Sequence, residues 1–400
     1  MTNIDLKTLL AATSAGGSSA LSSITPLRAA GGELSAIAPA KYAAKQGKEG
    51  TYVFSVRFVD GTPMKTVLID SSQSQSNRIE QVLALQIEDS NPILSRIPRI
   101  RVTYHTDDGI AQFTDLELPH RVFDGHIRAG SINGKPATSN DTYRAARNAS
   151  PANAWDLLNL SPISLLFGAW DATRKAHQGR WAAALTGETV GVLTDQDGAA
   201  ADMPGKGGAR IDPVGMKLEL SKTAKQQIAD QQKDELSDAT YKSFLDAKGK
   251  ASVLGLGGIP PTLEQLGLIS CRAIVRSRVL SFATLRQIRF GKGPEGDAAV
   301  RAVLAAIALD GIARADAELF LRAHCHLVEA GSAITQMDQR HGRIDSIELP
   351  EPTQADDLLA AAIDHASAVA DLDWTGQVLE VEGDPIILAG ATDGEADGGD

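Results

Sequence analysis

The stretch from Thr51 to Glu88 restricts the fold more than any other. Thr51-Tyr-Val-Phe-Ser-Val-Arg-Phe58 and Lys65-Thr-Val-Leu-Ile69 read as strands, and Asp60-Gly61 between them is a hairpin-turn signal. Ile79, Val82, Leu83 and Ile87 then repeat at helical spacing. A chain that changes from a period of two to a period of 3.6 within a few residues must build sheet and helix side by side. Arg99–Tyr104 and Ile110–Leu116, separated by Asp107-Asp-Gly109, repeat the hairpin pattern, so the expected class is α+β. Later segments continue it. Asp297 is placed to cap a helix carrying Val300, Val303, Leu304 and Ile307, and Thr353 to cap one carrying Leu359, Ala362, Ile363 and Ala366. Alternation over Leu319–Val328 favours a further strand, and the lysine- and glutamine-rich residues 214–250 an exposed helix.

The body spans 51–350 with large insertions. Residues 1–50, rich in Ala, Ser and Gly, read as an irregular or partly helical lead-in. Residues 195–213, rich in Gly, Ala and Asp, read as a mobile loop or protruding ribbon. Residues 351–384 form a C-terminal helix and extension, and 385–400 an acidic, disordered tail.

The net charge of −11 argues at first against a polyanionic partner. From Glu351 to Asp400, however, there are 13 acidic residues and no lysine or arginine, which leaves 39 basic against 37 acidic residues before Glu351. The acidity belongs to the C-terminal region, and the body carries +2. Within it, Gln265–Lys292 holds Arg272, Arg276, Arg278, Arg286, Arg289 and Lys292 without an acidic residue. Strand alternation puts Arg272, Arg276 and Arg278 on one sheet face, a track suited to ribose-phosphate. A solvated strand with no ligand is the plainer alternative, although unneutralised like charges repel.

Asp70-Ser-Ser-Gln-Ser-Gln-Ser-Asn-Arg-Ile-Glu80 lies where a strand gives way to a helix. Ser72 with Gln75 fits a capping box, and Ser72, Gln73, Ser74, Gln75, Asn77 and Arg78 offer phosphate-binding donors at a helix start. Catalytic signatures are missing. The glycine-rich Gly255–Pro261 and Gly205–Gly208 match neither a dinucleotide fingerprint nor a phosphate loop, and there is no nucleophile elbow. Cys271 and Cys325 cannot frame a disulfide scaffold, and His324-Cys325-His326 diverge on any regular backbone, so neither metal nor cofactor is expected. Without a signal segment or a membrane span, the expected location is the cytoplasm.

Asp70–Glu80, Pro119-His-Arg-Val-Phe-Asp124, Leu165-Leu-Phe-Gly-Ala-Trp-Asp171, Leu254–Pro261, Leu285–Phe290 and Leu321–Leu327 together resemble the backbone subunit of type I-U (I-G) CRISPR surveillance complexes, or Cascade. The likeness spans roughly residues 50–330. It implies an RNA-recognition-motif-like (ferredoxin-like) core of the repeat-associated mysterious protein superfamily, elaborated into a hand-shaped subunit. It also implies a non-catalytic, antiviral-defence role. Several copies would line one CRISPR RNA beside other subunits and leave its bases free to pair with target DNA. His120, Arg121, Trp170 and Arg174 join the residues above as RNA-binding candidates, although Trp170 could equally be core. By analogy with related subunits, 195–212 would hold a thumb with Met203 at its tip. The alternatives are a metal-dependent ribonuclease using Asp70, Asp124 and Asp171, and a scaffold that binds protein only.

Overall fold

A computed structural model describes residues 2–43, 51–106, 109–196, 206–208, 219–246, 251–256, 262–264 and 267–389. The chain divides into two units, the first formed by 1–194 with 270–400 and the second by 195–269. Met203 and the tail from 390 onward lie outside the described residues, as do 257–261 of the glycine-rich segment.

The first unit is α+β, as expected. Its main elements are β1 (Ala20–Ala29), β2 (Phe54–Val59), β3 (Thr62–Asp70), α1 (Ser72–Glu88), β4 (Arg99–Thr106), β5 (Gly109–Thr114), β6 (Leu185–Leu193), β7 (Cys271–Ser281), α2 (Gly293–Ala317), β8 (Ile334–Asp338), β9 (Ile344–Glu348), α3 (Pro352–Ala370) and β10 (Val378–Glu382). A nine-stranded sheet has the order Thr2–Asn3, β9, β8, β1, β7, β6, β3, β2, with Leu327–Glu329 also paired to β1. The run β8–β1–β7–β6 is antiparallel throughout. Its sequence order is therefore fourth, first, third, second, with α1 between the first and second strands and α2 between the third and fourth. These are two split β-α-β units. The β2–β3 hairpin extends the sheet beyond β6, and its turn at Asp60 and Gly61 has positive φ at both residues, as the sequence signal requires. A second sheet of β5, β4 and β10 continues into two short strands within 131–136.

The helices cover one face of the large sheet. α2 is alanine-rich and buried around its whole circumference from Gly296 to Leu309 and beyond, packed against α1, α3 and the helix Leu6–Thr13. α1 and α2 approach so closely that a Cβ on Gly311 would lie 2.4 Å from Ile79 Cγ2.

Several local expectations are corrected. The lead-in holds a helix and the central strand β1. The inward residues of β1 are Leu21, Ser23, Thr25 and Leu27, half of them polar, so its alternation is weak in apolar terms. The cap of α1 is Ser71, whose side chain accepts from Ser74 N, and Gln75 is drawn inward to Asp70. Asp297 lies inside α2, where it accepts the Phe290 and Lys292 amides. α3 starts two residues earlier than expected, on a Glu351–Gln354 capping box. The alternating stretch before Val328 is mostly irregular, turning at His324 with φ 56°.

In the second unit, helices Lys222–Gln231 and Asp238–Leu245 are capped by Ser221 and Ser237, and Lys206–Gly208 pairs with Thr262–Glu264 as a two-stranded ribbon. No helix among the described residues is long and apolar enough to cross a membrane.

Candidate nucleic-acid interface

The arginines of β7 do not line an open face. Arg276 and Arg278 are 2% and 6% exposed and point to the helix side, where both meet Asp316 near the end of α2. Burial, with Arg278 beside it, pushes the Arg276 guanidinium down to about 10. The open side of β7 carries Ala273, Val275, Ser277 and Val279. Arg272 leaves the stripe because the register shifts between Val192 and Leu193, and it lies exposed against Met64 Sδ at 3.5 Å. Alternation defines two faces, but a carboxylate 38 residues downstream decides which one is buried. Arg286 is likewise internal, bonded to the Ala12 and Ser18 carbonyls.

The start of α1 is a charge hub. Asp70 is fully buried and accepts from Ser74 Oγ at 2.9 Å, Gln75 Nε2 at 2.6 Å and Arg78 Nε at 3.3 Å, with Arg322 as a further partner. Arg78 also reaches the Phe320 and Leu321 carbonyls. Gln75 and Arg78 are thus occupied inside the protein, while Gln73 and Asn77 stay exposed and Ser72 half-buried. Arg121 makes a buried pair with Glu80, donates to Gly168 O at 2.9 Å and sits over the Phe167 ring. Burial outweighs Arg121 and pushes the Glu80 carboxyl up to about 7. His120 is exposed.

The three aspartates of the ribonuclease alternative serve separate purposes. Asp124 accepts the His120 and His126 amides at 3.1 and 2.9 Å and caps the helix Gly125–Ala129. Asp171, 1% exposed, binds Arg147 through Nε at 3.0 Å and Nη2 at 2.7 Å. Among the described residues no group of three or more His, Cys, Asp or Glu could hold a metal ion.

One surface combines cations with an exposed ring. Helix Pro162–Leu166 is buried along its length, and the chain leaves it through Gly168 at φ 83°. A Cβ there would lie 2.9 Å from Ala183 N and Trp181 O, so the exit requires glycine. Ala169 and Trp170 then pair with Trp181 and Arg180, closing a loop over 171–179. The Asp171–Arg147 bridge anchors its root. Arg174 ties it to Arg147 O at 2.8 Å and Asn148 Oδ1 at 2.6 Å, Gln178 Nε2 donates to Ala172 O and Arg174 O, and Arg128 reaches Thr173. On this clamped loop Trp170 is 51% exposed, with the Arg180 guanidinium 4.3 Å from the ring centroid. Lys175, His177 and Arg180 are exposed on the same loop and ribbon. The nearby acids Asp124 and Asp171 are buried and engaged, so the exposed charges of the loop and its ribbon are cationic. Exposed cations beside an aromatic ring, on a loop held by an ion pair and hydrogen bonds, suit a stacked base and its phosphates.

Trp170 is therefore a surface residue and not core. Arg180, Lys175 and Arg128 escaped the sequence reading, although Trp170-Asp-Ala-Thr-Arg-Lys-Ala-His-Gln-Gly-Arg-Trp181 interleaves aromatic and basic residues in plain view.

Residues 21–196, which contain β1, the β2–β3 hairpin, α1, β6 and this loop, match the model of the family described as CRISPR-associated protein GSU0053. No curated protein matches the chain.

Proposed function

We propose that this protein is a non-catalytic RNA-binding subunit of a type I CRISPR surveillance complex, several copies of which line one guide RNA and present it to target DNA. The observation that carries the reading is the half-exposed Trp170 under Arg180, on a loop clamped by Asp171 and Arg147 that also exposes Lys175. The family likeness over 21–196 supports it, since that span encloses the loop. The strand order β8–β1–β7–β6 with two crossover helices is the one an RNA-recognition-motif-like core requires, which supports the superfamily reading. The aspartates of the ribonuclease alternative are bound up in caps and ion pairs, and this favours a structural role for them.

The role assigns different work to different residues. Backbone phosphates would meet Lys175, Arg180 and Arg128, giving affinity that is independent of guide sequence and falls with salt. Trp170 would stack on a base and fix its register. Besides Trp170, the earlier candidates that remain exposed are Gln73, Asn77, His120 and Arg272. The test is expression with a CRISPR array. The purified protein should carry a discrete RNA of uniform length, and Trp170→Ala combined with Arg180→Ala should lose most of it. Protein that purifies free of RNA in both forms would refute the reading.

A further inference from the structure

The cations of the loop after Gly168 lack a counter-charge. Asp171 is engaged with Arg147 and Asp124 with backbone amides, and among the described residues no carboxylate pairs with the exposed Lys175 or Arg180. Cations left in this way draw whatever anion lies within reach.

β10 brings the acidic end of the chain beside this loop. Glu382 pairs with Ser131, and a Cβ on Gly130 would lie 2.7 Å from Glu382 O. Gly383 donates its amide to Thr103 O at 2.8 Å, a Cβ on it would lie 2.4 Å from the Tyr104 ring, and the helix Pro385–Ala389 packs on β4. Tyr104 Oη in turn meets His126 Nδ1 at 2.6 Å. His126 belongs to the five-residue helix Gly125–Ala129, and Arg128 of the same helix reaches Thr173 of the loop. A helix of that size is only ~8 Å long. Residues 390–400, which follow Ala389, span up to ~36 Å when fully extended, so the loop is well within their reach.

Their composition fits the loop. Gly390-Ala-Thr-Asp-Gly-Glu-Ala-Asp-Gly-Gly-Asp400 holds four acids, Asp393, Glu395, Asp397 and Asp400, with no lysine or arginine and no aromatic or large aliphatic side chain. Such a segment has nothing to bury in an apolar groove and is held only by cations. Arg101 on β4 is already paired with Glu380, whereas Lys175 and Arg180 are not so engaged. The segment offers carboxylates where a nucleic acid offers phosphates, and it has nothing to stack on Trp170.

We propose that residues 390–400 dock on Arg128, Lys175 and Arg180 of their own chain and occupy the phosphate positions of the loop, leaving the Trp170 ring uncovered. The inference deepens the proposed function, on which it rests for the nature of the loop's ligand. Contacts among exposed charges are weak and screened by salt. An RNA that stacks on Trp170 as well as offering phosphates displaces the segment, whereas a polyanion that offers phosphates alone has to compete with it. The segment thereby disfavours loosely held nucleic acid.

The test takes two readouts on full-length protein freed of nucleic acid. Carbodiimide, which joins a carboxylate to an amine in contact with it, should link Lys175 to Asp393, Glu395 or Asp397 within one chain at low salt, and high salt should suppress the link. Lys135, exposed on the short hairpin beside β10, should react less with the same acids. A link missing at Lys175, one no stronger there than at Lys135, or one formed only between chains would overturn the proposal. For binding, the probe is a uridine homopolymer. Deleting 390–400 should tighten its binding by about fivefold at low salt and hardly at all at high salt. Asp393→Asn, Glu395→Gln, Asp397→Asn and Asp400→Asn combined should do the same at full chain length, with circular dichroism unchanged in both variants. In a Lys175→Ala background the gain should shrink. A deletion without effect, or a gain undiminished by Lys175→Ala and so due to general repulsion, would overturn the contact. The cross-link is read without RNA, so a protein that forms it yet binds no nucleic acid contradicts only the function reading.

Discussion

On β7, Arg276 and Arg278 converge on Asp316 beneath the sheet, whereas in the loop after Gly168 Arg180 lies over a tryptophan at the surface, with Lys175 exposed on the same loop. Both segments are rich in arginine. In β7 the cations have lost their water and depend on a carboxylate delivered by α2; the loop instead has its acid, Asp171, buried at the root and its remaining cations facing outward. A run of arginines is therefore not by itself an electrostatic footprint. What matters is whether the fold brings each guanidinium a carboxylate or leaves it to solvent and ligand.

Substitutions should separate the two regions cleanly. The largest effect is expected at Arg278→Ala or Arg276→Ala. Removing one partner of a buried ion pair should cost about 3–5 kcal/mol of stability. RNA affinity per folded molecule should not change, as thermal melts paired with binding curves would reveal. Arg272→Ala, at the bulge, should stay within about 0.5 kcal/mol of wild type. Next comes Trp170→Ala, which should leave the melting temperature nearly unchanged and cost about 1–3 kcal/mol in RNA binding, the worth of one stacked base. A destabilised Trp170→Ala with normal binding would reverse the comparison.

A smaller effect concerns pH. Burial raises the Glu80 and Asp310 carboxyls to about 7 and the fully buried Asp115 to about 6, from ordinary values of 4.5, 3.8 and 3.8. A raised folded-state value gives stability that is complete below the unfolded value and is lost as pH rises through the folded one. Stability should thus decline from about pH 4.5 toward pH 7 on account of these groups. Glu80→Gln, which keeps an acceptor for Arg121, should flatten part of that slope in melts across the same range; a slope unchanged by it would remove Glu80 from the account. The smallest effect is at Lys175→Ala, expected to reduce the logarithmic salt dependence of RNA binding by about 1 while lowering affinity for different guides alike.

The sequence made the β2–β3 hairpin and α1 legible because turn chemistry, alternation and helical spacing agree there. It concealed β1, whose inward Ser23 and Thr25 are polar, and it could not orient β7, whose inner side is decided by Asp316 on another element. At the candidate site, Trp170 and Arg174 were readable from the resemblance. Their division of labour was not, since Arg174 turned out to be a brace bonded to Arg147 O and Asn148, and the stacking cation is Arg180, brought back to Trp170 by a two-residue ribbon. Gln75 and Arg78 carried the right chemistry for phosphate, yet Asp70 claims both.

The most direct test of the central claim is equilibrium RNA binding, measured at two salt concentrations, for wild type and the Trp170→Ala/Arg180→Ala double variant. The account predicts that wild type binds unrelated guide sequences alike and weakens with salt, and that the double variant, folded and equally stable, binds at least about tenfold more weakly at both concentrations. A double variant that binds RNA as tightly as wild type would contradict it.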